Sequence, residues 1–257
     1  MALALRLVIV CVLLAGPSLS VQAAEPAEEL KILFLGNSLT ATNDLPGILR
    51  ELLQAEASGP VTVDSRTGTN LALEDHWTRR DVRKTLAQGE WDVVIVQQGP
   101  SATEGRPSLL EYSQRFARVV EKAGGELALY MVWPSRARFE DFDGVVESHK
   151  MAAEQAGARL FPVGAAWRTA WSASPALELY GPDGFHPSPE AGYLAALVMY
   201  QQITGRSPIG LPTEIETDSG TRIDVSPQVA GRLQQAAAQT NRDFGLEEGA
   251  GQECDCF

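Results

Sequence analysis

Residues Lys31–Ser38 read KILFLGNS, and this short segment decides the fold. One charged residue is followed by four apolar ones and then by Gly36, which predicts a short strand buried on both faces. Four later segments have the same character, and they predict further strands at Val61–Asp64, Trp91–Val96, Glu126–Val132 and Arg159–Pro162.

Segments with apolar residues at helical spacing lie between these strands. They predict helices at Leu45–Ala57, Trp77–Ala87, Ser108–Ala123, Asp143–Ala156 and Pro189–Thr204. Strands that alternate with helices predict an α/β fold, a three-layer α/β/α sandwich around a parallel five-stranded sheet. Beyond Gly205 the pattern changes, with irregular chain at Ser207–Ile223 and one more amphipathic helix at Ser226–Arg242.

The two ends of the chain differ in composition from the part between them. Residues 1–23 combine Arg6, the apolar run Leu7–Ala15 and small residues before a cleavage point, which is the order of a secretory signal peptide. We therefore expect a secreted or periplasmic protein. We expect residues 30–242 to form the α/β domain and residues 243–257 to be a disordered acidic tail.

Composition excludes several classes of partner. The formal net charge is −12, and it becomes −13 when the signal segment leaves with its single arginine. Such an acidic protein repels nucleic acid and anionic membrane surfaces. No second long apolar run predicts a membrane span in the mature chain, and the 44% hydrophobic content is enough for a full core. Cys254 and Cys256 lie in the last four residues, so no disulfide framework is expected.

Candidate catalytic residues follow the predicted strands, because ligands of an open parallel sheet bind beyond the carboxyl ends of its strands. Ser38 comes directly after the first strand, on a turn into a helical segment. His186 lies in a late glycine- and proline-rich loop, with Asp183 three residues before it. A serine needs a base to take its proton, and that base needs an orienting carboxylate. The three residues therefore predict a Ser-His-Asp triad.

The other two histidines are weaker candidates. His149 falls inside an amphipathic helix beside charged residues, so we expect it to be solvated on the surface. His76 follows the loop that contains Gly68. It could line the pocket and contact substrate, although a structural or surface role is favoured.

The tetrahedral intermediate of acyl transfer also requires donors for its oxyanion. The backbone N–H groups of Ser38 and Gly68 are candidates, together with a side-chain amide from Gln97 or Gln98 at the end of the third strand.

At these residues the chain resembles the SGNH hydrolase superfamily, the GDSL-like esterases. Ile32–Thr40 resembles the nucleophile block, with Asn37 where many members have aspartate, and Gly68 resembles the glycine oxyanion block. Asp183–Ser188 resembles the closing DxxH block, and the helix after it also fits. The block that names the family's asparagine instead contains two glutamines here. By likeness to branches with a glutamine there, Gln97 is the first choice and Gln98 the second.

The resemblance implies a flavodoxin-like sandwich that hydrolyses an ester through an acyl-serine intermediate, with no metal and no organic cofactor. It favours a small-molecule or glycan ester as substrate, and a carbohydrate O-deacetylase as the activity. Asn37 would lie near the substrate, and Trp133, Trp77 and Phe185 could stack on a sugar or pack in the core. Two alternatives stay open: acyl transfer to a sugar by the same triad, and an inactive glycan-binding protein. The oligomeric state is left open.

Overall fold

A computed structural model describes residues 28–246, so the predicted signal segment and most of the predicted tail lie outside the described residues. The main sheet has five strands, in agreement with the sequence. They are β1 (Leu30–Leu35), β2 (Val61–Arg66), β3 (Val93–Val96), β4 (Glu126–Tyr130) and β5 (Arg159–Phe161).

All neighbouring strands of this sheet are parallel, in the order β2-β1-β3-β4-β5. The chain runs from β1 outward to β2 and then returns to the other side of β1, which makes the gap between β1 and β3 the topological switch point. Ligands of doubly wound sheets bind at this point, beyond the carboxyl ends of the strands. The predicted flavodoxin-like arrangement is confirmed.

Helices cover both faces of the sheet and complete three layers. They are α1 (Ser38–Ala41), α2 (Leu45–Gln54), α3 (Leu73–Thr78), α4 (Arg80–Gln88), α5 (Arg106–Lys122), α6 (Phe142–Ala156), α7 (Val163–Ala173), α8 (Pro189–Thr204) and α9 (Pro227–Asp243). Two 3₁₀ turns, Thr42–Asp44 and Arg136–Asp141, precede α2 and α6. None of these helices is long and apolar enough to cross a membrane.

The alternation of side chains along β1 builds two cores. Ile32 and Phe34 pack on one face, against α2, α7, α8 and α9, whereas Leu33 and Leu35 pack on the other, against α3 to α6. All four side chains are fully buried. A central strand buried on both faces explains the unbroken apolar run in the sequence.

Two segments differ from their predicted conformation. The predicted helix Trp77–Ala87 is two helices, α3 and α4, because Arg79 has an extended backbone between them. The segment Ser207–Ile223, predicted as irregular, contains most of an antiparallel hairpin of β6 (Glu214–Glu216) and β7 (Arg222–Asp224). These strands of three residues are too short for a periodic pattern to mark.

The start of the predicted tail is also ordered. Asp243 ends α9, and Phe244 packs near Val145 with its ring 4.6 Å from the Lys150 ammonium. The Leu246 N–H also donates to the Asn241 carbonyl (3.0 Å), so packing and backbone hydrogen bonds both hold this part of the chain. The rest of the tail, including Cys254 and Cys256, lies outside the described residues.

The prediction of a solvated His149 is wrong. Its side chain lies inside the protein, 1% exposed, and Nδ1 is 2.9 Å from the carbonyl oxygen of Val145. Nδ1 must therefore carry the proton and donate it, while the buried Nε2 has no hydrogen-bond partner among the described residues. Burial lowers the pKa of His149 to about 4.

We predict that His149 makes the fold sensitive to mild acid. The unfolded chain takes up this proton near the ordinary pKa of 6.5, whereas the folded protein does so only near 4. The contribution of a neutral His149 to the free energy of unfolding is therefore fully present above about pH 6.5. It is lost as the pH drops toward 4, and the loss is on the order of 3 kcal/mol. The variant His149→Leu removes the titrating group from this site.

Urea unfolding at several pH values between 4 and 8 measures the effect as a difference between the two proteins. The difference isolates His149 from the carboxylates and from His76, whose pKa burial also lowers. Parallel stability curves for the wild type and His149→Leu would contradict the prediction.

Candidate functional site

The turn that carries Ser38 is fixed from beneath by Gln97. The Gln97 Oε1 atom accepts hydrogen bonds from the Asn37 N–H (2.9 Å) and from Thr40 Oγ1 (2.9 Å). Gly36 is needed for this close approach, since a Cβ there would lie 2.3 Å from Thr40 Oγ1 and 2.8 Å from Gln97 Oε1. The end of β3 therefore determines where the turn after β1 lies.

Asn37 secures the same turn from within and from the side. Its Oδ1 accepts from the Leu39 N–H (3.0 Å) and caps α1, and its Nδ2 donates to the Leu71 carbonyl (3.0 Å). Asn37 is 7% exposed and lies at the wall of a cavity that Ser38 also lines, which we call the main cavity. The Ser38 N–H, by contrast, has no acceptor among residues 28–246.

The structure brings Ser38, His186 and Asp183 together in one chain of contacts. His186 Nε2 lies 2.9 Å from Ser38 Oγ, and His186 Nδ1 lies 2.5 Å from Asp183 Oδ2. Since a carboxylate only accepts, Nδ1 carries the imidazole proton and Nε2 accepts from the serine hydroxyl. The sequence separation of Ser38 and His186 is 148 residues, so the fold alone creates this contact.

Asp183 is held as a charged group although it is exposed. The hydrogen bond from His186 lowers the pKa of Asp183 to about 2, with further support from the backbone N–H groups of Phe185 and His186. These two N–H groups both donate to Oδ1, at 3.0 Å, and leave Oδ2 to the imidazole. The Asp183 carboxylate is therefore ionised throughout the neutral range and fixed in orientation.

The loop that carries His186 is closed by its own backbone. Gly181 N–H donates to the His186 carbonyl (2.7 Å), and Ser188 N–H donates to the Leu179 carbonyl (2.9 Å). At its tip Gly184 has φ = 70°, a left-handed conformation that glycine adopts without strain.

The aromatic residues divide between support and lining. Trp133 is fully buried and stacks on Trp167 with ring centroids 3.8 Å apart, so the expectation that it stacks on a sugar is wrong. Its Nε1 donates to the Phe185 carbonyl (2.9 Å) and supports the His186 loop from beneath. Trp77 packs edge-on against Phe116. Phe185 is the aromatic residue of the predicted set that lines the cavity.

His76 has a structural position. It is fully buried, and its Nε2 lies 2.9 Å from the Gly36 carbonyl, to which it donates. Burial lowers the pKa of His76 and keeps the imidazole neutral. His76 is not among the residues that line the cavity; it holds the strand end that leads into the Ser38 turn.

Both glutamine amides make hydrogen bonds inside the protein. Gln97 is 1% exposed, and its Nε2 donates to the Gln98 carbonyl (2.8 Å). The Gln98 Nε2 donates to both Ser101 Oγ (2.9 Å) and the Gly105 carbonyl (3.0 Å). These bonds fasten the chain at the end of β3. The oxyanion role of Gln97 or Gln98 stays a prediction.

The loop after β2 contains other donors. Gly68 N–H has no acceptor among residues 28–246, although Gly68 is not a lining residue of the main cavity. Asn70 is exposed, lines the cavity together with Ser38, and has a left-handed backbone (φ = 56°). No hydrogen bond to another described residue engages the Asn70 amide. Asn70 was not among the candidate residues predicted above, although asparagine two residues after a glycine in a strand-end loop was a usable signal.

Ser38 and His186, which contact each other, line two different cavities. The main cavity has a volume of about 620 Å³, includes Ser38, and is lined largely by loop residues after β3 and β4. The second cavity, about 710 Å³, includes His186 and Asp183. Arg138 in the main cavity is paired with Asp141 (2.6 Å) and lies 4.0 Å from Glu104, so the charged lining has one cation and two anions.

No cluster of three or more histidine, cysteine or acidic side chains that could hold a metal ion occurs between residues 28 and 246.

No protein-family model and no curated protein matches the sequence. Several solved structures do. A protein from Slackia heliotrinireducens, described as a candidate SGNH hydrolase, is 30% identical, with a TM-score of 0.60 over 68% of this chain and 100% of that chain. A DUF4886 family protein from Bacteroides uniformis is 19% identical, with a TM-score of 0.63 over 86% of this chain and 97% of that chain. The acetyl xylan esterase AlAXEase is 14% identical, with a TM-score of 0.56 over 68% of this chain and 100% of that chain.

The second and third of these likenesses show the fold, and the first shows the family. The identity of 30% extends over the whole length of the Slackia protein. The strand order described above agrees with this relationship. The chain belongs to the SGNH hydrolase superfamily.

Proposed function

We propose that this protein is a serine esterase that works through an acyl-serine intermediate. The observation that carries the proposal is the position of the His186 imidazole, 2.9 Å from Ser38 Oγ on one side and 2.5 Å from Asp183 Oδ2 on the other. A serine hydroxyl becomes a competent nucleophile when a neutral, correctly oriented imidazole accepts its proton.

In the proposed reaction Ser38 Oγ attacks the ester carbonyl while His186 Nε2 takes the hydroxyl proton. The imidazolium is stabilised by the ionised Asp183 and then donates the proton to the leaving alcohol, which breaks the ester bond and leaves the acyl group on Ser38. A water molecule, deprotonated by His186 in turn, attacks the acyl-serine. The acid is released and Ser38 recovers its proton.

The oxyanion of each tetrahedral intermediate needs donors at the edge of the main cavity. We assign this role to the Ser38 N–H, with the Gly68 N–H and the Asn70 side-chain amide as partners. Two observations support the assignment of Asn70: it lies in the wall of the cavity that contains Ser38, and no described residue hydrogen-bonds its side-chain amide. Leu71, the next residue, is bonded to Asn37 through its carbonyl, which holds this loop against the Ser38 turn.

The substrate class we propose is a neutral O-acylated carbohydrate, and the activity is its deacylation. Arg138 in the main cavity is engaged by Asp141, and Arg136 in the second cavity by Glu178 (3.3 Å), so the site favours neutral groups over carboxylates or phosphates. A cavity of about 620 Å³ holds more than an acetyl group. The fold likeness to an acetyl xylan esterase and the predicted signal segment, which would place the protein among extracellular glycans, also support this class.

Acyl transfer is the second candidate, and the second cavity favours it. That cavity lies on the His186 side, where an alcohol can wait as leaving group or as acceptor. Analysis of products with and without an added sugar acceptor separates the two reactions. If the acyl group is transferred to the sugar even in excess water, acyl transfer replaces hydrolysis as the proposed activity.

We predict that Ser38→Ala lowers kcat by about 10³-fold or more on any ester that the protein turns over. Asp183→Asn should cost a comparable factor, because an amide no longer stabilises the imidazolium. Turnover of p-nitrophenyl acetate, p-nitrophenyl esters of longer acids and acetylated xylo-oligosaccharides measures both effects.

The matched control is Ser108→Ala, which removes a second serine of the same cavity that has no histidine in contact. We expect this variant to retain most of its turnover. Equal losses in Ser38→Ala and Ser108→Ala, or full turnover in Ser38→Ala, would remove Ser38 from the mechanism. Binding of the oligosaccharides by a wild type without turnover would favour the glycan-binding alternative.

For the oxyanion site we predict that Asn70→Gly lowers kcat by on the order of 10²-fold with a smaller change in KM. Glycine keeps the left-handed backbone, so the change removes the amide without adding strain. Steady-state kinetics of this variant beside Thr69→Ala, a neighbour that does not line the cavity, tests the assignment. An unchanged kcat in Asn70→Gly would return the role to backbone donors alone.

A further inference from the structure

The segment between Ser38 and α2 contains two consecutive residues in a conformation that side chains rarely adopt. Asn43 has φ = 60° and Asp44 has φ = 52°, so both lie in the left-handed region although neither is glycine. Asparagine and aspartate tolerate this region better than other residues, but two in succession persist only where the surroundings hold them. The hydrogen-bond partners of Asn43 and Asp44 therefore indicate what this backbone conformation does in the protein.

The two side chains point to different partners. Asp44 accepts from the Gly47 N–H (3.3 Å), which caps α2, and from Ser219 Oγ (2.7 Å) in the β6–β7 hairpin. Asn43 Nδ2 instead donates to the carbonyl oxygens of Pro187 (3.1 Å) and Ser188 (2.9 Å). Asn43 is thus fastened to the residues that directly follow His186.

The approach of the two segments is built into α8 as well. A Cβ at Gly192 would lie 3.2 Å from both Cβ and Nδ2 of Asn43, so glycine in the first turn of α8 gives the Asn43 side chain its room. Ser188 also caps α8 through its Oγ, which accepts from the Ala191 N–H (3.2 Å). The Asn43 amide therefore binds a rigid helix start and not a free loop.

These bonds matter because few hydrogen bonds join the two halves of the site. Within the described residues, the hydrogen bonds between segments 38–44 and 183–188 are the two from Asn43 and the Ser38–His186 contact itself. On the Ser38 side the connection is short and stiff, since Thr42 Oγ1 donates back to the Ser38 carbonyl (2.7 Å). Any shift of Asn43 against Pro187 changes the gap between the nucleophile and its base.

We propose that Asn43 is a positioning residue that sets the distance between Ser38 Oγ and His186 Nε2. The proposal rests on the function proposed above, because it needs Ser38 as nucleophile and His186 as base. Asn43 does not touch the reacting atoms. It acts by holding the His186 loop to the Ser38 turn, and the left-handed backbone is what directs its amide there.

The test compares Asn43→Gly with Asp44→Gly. Each change removes one left-handed side chain and its two hydrogen bonds, and glycine accepts the backbone conformation in both. Only the Asn43 bonds reach the residues after His186. We expect Asn43→Gly to lower kcat about 10- to 100-fold with KM nearly unchanged, as for a small misplacement of catalytic groups. Asp44→Gly should lower the melting temperature at least as much and keep most of kcat.

A fluorophosphonate reagent gives a second readout that needs no knowledge of the natural ester. It forms a phosphorus–oxygen bond to an activated serine, releases fluoride, and leaves the serine proton on the base. The labelling rate of Ser38 should fall in Asn43→Gly and hold in Asp44→Gly. Asn43→Asp keeps the size and the backbone preference but cannot donate to two carbonyls when ionised, so it should behave as Asn43→Gly does if that variant fails to fold.

The outcomes separate the two proposals. A wild type that is neither active nor labelled at Ser38 would overturn the proposed function, and the role of Asn43 with it. An active wild type in which Asn43→Gly matches the wild type, or in which both glycine variants lose the same fraction of kcat and labelling rate, would overturn the role of Asn43 alone.

Discussion

The hydrogen bonds accepted by the Gln97 carboxamide oxygen hold the rest of the site in place. The N–H of Asn37 is buried at the end of β1, and a buried N–H without an acceptor costs free energy comparable to a lost hydrogen bond. Gln97 supplies that acceptor from β3, the neighbouring strand at the switch point, and accepts from Thr40 Oγ1 as well. The order of the strands thereby determines the geometry of the site, because the pairing of β1 with β3 also brings this amide under the Ser38 turn.

The His186 loop is held at a different strand end, by different means. Trp133 follows β4, lies flat on Trp167, and donates its indole N–H to the Phe185 carbonyl. Tyr180, at the base of the His186 loop, donates its hydroxyl to the Pro134 carbonyl (2.7 Å). An aromatic platform in the core thus holds the His186 loop, while polar side chains hold the Ser38 turn. Because the Ser38 turn and the His186 loop are supported separately, their relative position depends on connections between them. The hydrogen bonds from Asn43 to the Pro187 and Ser188 carbonyls are such a connection.

The sequence was sufficient for the features that depend on local periodicity and on spacing. Unbroken apolar runs between amphipathic helices predicted the five strands, and α8 begins and ends at the predicted residues. The features that failed depend on tertiary packing. His149 is an exception: its prediction followed its charged sequence neighbours, whereas its helical spacing from Val145 and Ala152 places it on the buried face of α6. Trp133 could be assigned to core or pocket only after the position of Trp167 on α7 was known.

Side-chain direction was equally beyond reach for the two glutamines. Their place after β3 was predicted, but a glutamine has one more methylene than asparagine, and in Gln97 this length lets the amide fold back under the Ser38 turn. Gln98 folds the other way and ties the loop at Ser101 and Gly105. Nothing in the order of residues distinguishes these directions, because both satisfy a buried amide.

The hydrogen bonds of the two glutamines after β3 bear on the oxyanion site proposed above. Both amides at the end of β3 make hydrogen bonds inside the protein, and the donors proposed for the oxyanion belong to the Ser38 turn and to the loop after β2. That loop is not independent of the turn: the Leu71 carbonyl receives Asn37 Nδ2, and the Leu73 N–H donates to Gln98 Oε1 (3.2 Å). The same two side chains that occupy the ends of β1 and β3 thus fix the loop after β2. Gln97 through the Asn37 N–H, and Gln98 through the Leu73 N–H, therefore connect the end of β3 to both the Ser38 turn and the loop after β2.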